Sequence, residues 1–154
     1  MPSNPPSFSH IHHVSYVVRD LDQVMRYLRD QLGMEPSWVG GEERGHREAT
    51  YALGVGELQI KQPGPQDTEL ARFLAEHGPG IHHAAWATTG LDELARALTA
   101  GGNRLRDGPA PHRSEESSHP RLAVTYRVVN VMAESGHGLG ERIQLVEEDP
   151  PRGT

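Results

Sequence analysis

The chain has 154 residues, with 15 basic against 21 acidic side chains, a net charge of −6 and no cysteine. That length fits one domain, 1–154, with a sizeable core. A single lysine, Lys61, and no basic run argue against a nucleic-acid partner, and the missing cysteines exclude disulfide and thiolate chemistry. The opening MPSNPPSFS has neither a basic nor an apolar leader segment, and no later run approaches about 18 apolar residues. A soluble, cytoplasmic protein without a membrane partner is expected.

The first element is a strand, IHHVSYVV at 11–18. Leu21, Val24, Met25, Leu28 and Leu32 then fall on one helical stripe. Asp20 and Gln23 have the spacing of a capping box, and Gly33 stands where that helix should stop. Glu48 to Leu53 and Glu57 to Ile60 form a hairpin through the glycine turn between them. Residues 67–78 make a linker helix with Leu70, Phe73, Leu74 and His77 on one face.

The pattern then begins again. IHHAAWAT at 81–88 repeats the histidine pair seventy residues later, and Leu91-Asp92 repeats Leu21-Asp22 at the same offset. Leu94, Ala95 and Leu98 continue a helix that Gly101-Gly102 ends. Residues 106–120, rich in Pro, Ser, Gly and charge, are expected as a surface loop. Leu122 to Met132 and Glu141 to Val146 are strands joined by a glycine-rich connection. The chain is therefore α+β, with module one over about 10–63 and module two over about 80–148.

Side chains alternate across a strand, so the two histidines of a pair face opposite ways. His13 travels with Ser15 and Val17, and His83 with Ala85 and Ala87, both small or polar faces suited to a cavity. His12 and His82 go with bulkier residues and read as structural. Gln59 and Gln144 alternate with Leu58, Ile60, Ile143 and Leu145. One consistent choice puts His13, Gln59, His83 and Gln144 on a common concave face with the helices outside.

The doubled strand-helix-strand-strand-strand unit resembles the vicinal oxygen chelate superfamily, which includes glyoxalase I, extradiol dioxygenases and fosfomycin- and bleomycin-resistance proteins. Within it, TELARFLAEHGPGIHHAAWAT is most similar to methylmalonyl-CoA epimerases. The resemblance implies two βαβββ modules in tandem, forming a cup-shaped curved sheet around one divalent metal (Zn, Co, Ni, Mn or Fe). Carried over by position, the ligands are His13, Gln59, His83 and Gln144, and the general base is Glu48 in GHREATYAL. It also implies a small-molecule substrate and a homodimer.

Gln144 departs from that family, where a glutamate serves as ligand and second base. Four neutral ligands leave the ion its full charge, so it binds less tightly yet polarises a carbonyl more strongly. A carboxamide cannot accept a proton at neutral pH. With Glu48 alone, a proton shift on one face, an isomerisation, an elimination or a decarboxylation is expected. His112 and His119 are the loop groups that could supply a second base, and Arg104, Arg106 and Arg113 could pair with an anionic substrate. The expectation is an isomerase, epimerase or lyase that stabilises an enolate. The rivals are a non-enzymatic drug-binding protein on the same cup and a glyoxalase-type lyase. A dioxygenase needs a carboxylate where Gln144 stands.

Overall fold

A computed structural model describes residues 5–113 and 125–152. In chain order the elements are β1 (Phe8–Val17), α1 (Leu21–Leu32), β2 (Trp38–Gly40), β3 (His46–Leu53), β4 (Gly56–Pro63), α2 (Thr68–His77), β5 (Gly80–Thr88), α3 (Leu91–Ala100), β6 (Thr125–Met132) and β7 (Arg142–Asp149). The fold is mixed α+β. His119, and residues 122–124 of the expected strand, lie outside the described residues.

The chain divides into two compact units. One is His13–His82, and the other combines Met1–His12 with His83–Thr154. Strand β1 thus changes unit between the two histidines of its pair, and β5 does the same between His82 and His83.

In the unit His13–His82 the strand order is β2-β3-β4-β1. Strands β1 and β4 are parallel, placing Tyr16 opposite Ile60, while the antiparallel β3–β4 pair places Ile60 opposite Ala49. That face packs beneath α1: Leu21, Ala49, Tyr51 and Ile60 are buried, with Val24, Met25 and Leu28 against them. The expected stripe runs one turn too far, because Leu32 is 59% exposed. The helix starts as the capping box predicts, with Asp20 Oδ1 accepting the Gln23 N–H at 3.0 Å. It stops at Gly33, whose φ of 66° is the left-handed conformation glycine adopts without penalty.

In the other unit β5, β7 and β6 lie in that order, β5–β7 parallel and β6–β7 antiparallel. Here Leu91 and Ala95 of α3 pack on Val129, Val131 and Leu145, with Trp86 and Ile143 beside them. This helix starts differently. Gly90 is its N-cap and offers no side chain, so Glu147 Oε2 on β7 accepts the Gly90 N–H at 2.7 Å.

Module two also departs from the expected βαβββ pattern. Among the described residues, isolated bridges from Leu105 to Val131 and from His112 to Val128 stand where module one has β2. The first part of the expected 106–120 surface loop is therefore docked along β6, with Arg106 N–H donating to the Asn130 carbonyl at 3.0 Å.

Candidate functional site

Residues directly opposite one another on paired strands share a face. In the unit His13–His82 the rank Ser15–Gln59–Thr50 crosses β1, β4 and β3, with His13–Glu57 and Lys61–Glu48 as neighbouring ranks. All seven of these side chains are buried, on the face opposite the one covered by α1. Eight-residue strands that alternate polar with apolar produce this result: one face feeds the helix and the other collects the polar groups.

Glu48 is 1% exposed. Its Oε2 accepts the Thr50 hydroxyl at 3.0 Å, and its Oε1 lies 3.3 Å from His46 Nε2. Lys61, the chain's one lysine, sits directly across the strand pair from it. His46 is the first residue of β3 and is buried.

Gln59 is oriented by chemistry that leaves no choice. Its Nε2 donates to Glu57 Oε1 at 3.1 Å, and a carboxylate only accepts. The Gln59 Oε1 is thereby turned away, buried and without a hydrogen-bond partner among the described residues.

The other unit repeats the arrangement. The rank Ala85–Gln144–Asn130 crosses β5, β7 and β6 on the face opposite α3. Gln144 Nε2 donates to Asn130 Oδ1 at 3.1 Å, and Gln144 Oε1 is again buried with no partner among the described residues. Around them pack Tyr126, Val128, Ala85 and Val146, so this face is more apolar than its counterpart. His83 lies one strand over, with Arg142 Nη2 at 3.4 Å from its Nδ1. Arginine only donates, so in this arrangement Nδ1 is the acceptor.

The first histidine of each pair packs on an aromatic ring. His12 lies 4.8 Å from Tyr126 between ring centres, and His82 meets Phe73 edge-on at 5.0 Å with Glu69 Oε1 3.6 Å from its Nε2. Both histidines of each pair are buried. Of the loop groups, His112 pairs with Asp107 at 3.2 Å.

Among the described residues no three His, Cys, Asp or Glu side chains group so as to hold a metal ion. Glu57, Asn130 and Arg142 were not singled out as partners of the site from the sequence. Glu57 and Arg142 were discoverable, because each stands two residues from a chosen group on the same strand face.

A duplicated α+β unit, with a polar strand face opposite a helix-covered one, defines the class of protein. The chain belongs to the Glyoxalase/Bleomycin resistance protein/Dioxygenase superfamily, whose sequence profile matches residues 12–119. Similar solved structures include the methylmalonyl-CoA epimerase of Mycobacterium tuberculosis, 28% identical with a TM-score of 0.69 over 89% of this chain and 86% of that one. The Streptomyces coelicolor methylmalonyl-CoA epimerase in complex with 2-nitronate-propionyl-CoA is 26% identical, with a TM-score of 0.72 over 92% of this chain and 95% of that one. Among curated proteins, the 4-hydroxyphenylpyruvate dioxygenase of Caenorhabditis briggsae is 28% identical over 135 residues, 84% of this chain and 33% of that protein. The chain thus spans about a third of the length of the curated relatives it matches. No helix among the described residues is long and apolar enough to cross a membrane.

Proposed function

We propose that this chain is a metal-dependent enzyme of methylmalonyl-CoA epimerase type, moving a proton alpha to the carbonyl of an acyl-CoA or natural-product intermediate. The observation that carries the proposal is the repeated carboxamide: Gln59 and Gln144 occupy the same rank in their units, and each has its nitrogen engaged and its oxygen left without a hydrogen-bond partner among the described residues. A buried carbonyl oxygen without a donor carries a real desolvation cost, which a cation would remove. His13, Gln59, His83 and Gln144 are the proposed ligands, each module giving one histidine and one glutamine. Ligation by His83 through Nε2 would place the ring proton on Nδ1 and would require the Arg142 contact to give way.

A divalent ion there supplies Lewis-acid stabilisation of negative charge developing on a substrate carbonyl oxygen. Glu48 removes the alpha proton, its carboxylate held in place by the Thr50 hydroxyl. Gln144 cannot return a proton to the opposite face, so the chemistry this chain supports by itself is exchange or transfer on one face. We further propose that the chain acts as one domain, in the cytoplasm, as a homodimer. The exposed Ile11 and Ile81, which open the two histidine repeats, support self-association.

The test is alpha-proton exchange in deuterated buffer with methylmalonyl-CoA and other acyl-CoA thioesters, alongside elemental analysis of the purified protein. Exchange dependent on stoichiometric metal supports the proposal. Metal-free protein that still binds acyl-CoA, without exchange, makes it a binding protein.

A further inference from the structure

The buried Glu48 has a side-chain path toward solvent. Its Oε1 lies 3.3 Å from His46 Nε2, and on the far side of the ring His46 Nδ1 lies 3.5 Å from Asp67 Oδ2. Asp67 is the N-cap of α2, where its Oδ1 accepts the Leu70 N–H at 3.0 Å. The side chain of Asp67 is 15% exposed, against 1% for Glu48. An imidazole between two carboxylates is the arrangement that carries a proton from one to the other, because one ring nitrogen accepts as the other releases.

We propose that His46 and Asp67 form a proton outlet for Glu48, with His46 as the positioning residue. This rests on the reading of Glu48 as the base. After Glu48 takes a proton from the substrate alpha carbon, Glu48 Oε1–H passes it to His46 Nε2. The Nδ1–H of His46 passes to Asp67 Oδ2, which releases a proton to water. No electrons change hands, and Glu48 returns to its ionised form. The outlet gives a site with one base a means of trading its proton with solvent before returning one to the substrate. The net result is washout of the alpha proton on a single face.

The experiment follows loss of deuterium from alpha-deuterated methylmalonyl-CoA in ordinary water. In the wild type, washout keeps pace with proton abstraction. His46→Gln should slow washout about tenfold or more, because the abstracted deuteron is handed back before it exchanges. Asp67→Asn keeps the helix cap and should slow it likewise. Added imidazole should restore washout in His46→Gly, a rescue that a merely structural role would not give. Wild-type washout in His46→Gln, or no rescue in His46→Gly, overturns the outlet.

A second measurement needs no substrate. Ring-nitrogen NMR of His46 should change on both Glu48→Gln and Asp67→Asn; spectra unchanged by either substitution overturn the outlet. If the wild type exchanges no acyl-CoA proton while those spectra do change, the proposed reaction fails, and with it the outlet's role, while the Glu48–His46–Asp67 contact stands.

Discussion

Gln144 donates to Asn130 across the β6–β7 pair at 3.1 Å, and its carboxamide oxygen is left buried without a hydrogen-bond partner among the described residues. Partners that orient a ligand are commonly worth about 10- to 100-fold in metal affinity. Asn130→Ala should therefore weaken divalent-metal binding by about tenfold in calorimetry, and Gln144→Ala by more. Gln144→Glu should tighten it. An unchanged affinity in Gln144→Ala would remove Gln144 from the ligand set.

Arg142 places a guanidinium beside His83, so its positive charge would oppose a cation held by that histidine. Arg142→Leu should raise metal affinity several-fold, most clearly at low salt where charge repulsion is least screened. Weaker metal binding in this variant would show that Arg142 supports the site.

Loss of a positioned general base typically costs about 10²- to 10⁴-fold. Glu48→Gln keeps the volume and the contact with Thr50 but not the basicity, so alpha-proton exchange should fall by that amount with metal content unchanged. Exchange at the wild-type rate would show that Glu48 is not the base.

Away from the site, the buried hydroxyl of Tyr51 has no hydrogen-bond partner among the described residues, and burial raises its pKa above the usual tyrosine value. The ring packs under α1 regardless of that oxygen. Tyr51→Phe should be neutral or stabilise by about 1 kcal/mol in urea denaturation. A loss of more than that would mean that the hydroxyl has a partner.

Arg127 binds both carboxylate oxygens of Asp92 at 3.0 and 2.8 Å, tying the first turn of α3 to β6. The hydrogen bonds from Arg127, and its charge, hold the Asp92 pKa below its ordinary value. A depressed folded-state pKa gives stability that is present above the unfolded value and lost as pH falls through the folded one. Asp92→Asn should cost less than about 1 kcal/mol at pH 7, since the pair is largely exposed, and nothing once the pH lies below both values. A cost that persists in acid would mean that the contact is not ionic.

The sequence alone determined the architecture because the architecture is periodic. The two histidine pairs, the helical stripes, the Asp20 cap and the Gly33 stop are local patterns, and each maps onto an element in the structure. The polar face of each module was legible for the same reason: a strand's period of two sorts Gln59 from Leu58 and Gln144 from Leu145 without any tertiary information. Tertiary structure alone decided the contacts between distant residues. Glu147 caps α3 from a strand more than fifty residues away, and Asp67 reaches His46 from the start of another helix. Both histidines of each pair are buried, which a strand's alternation by itself does not specify. Periodicity records which face a residue takes within its own element; which group meets it there is set by how the elements pair and pack, and no local pattern encodes that.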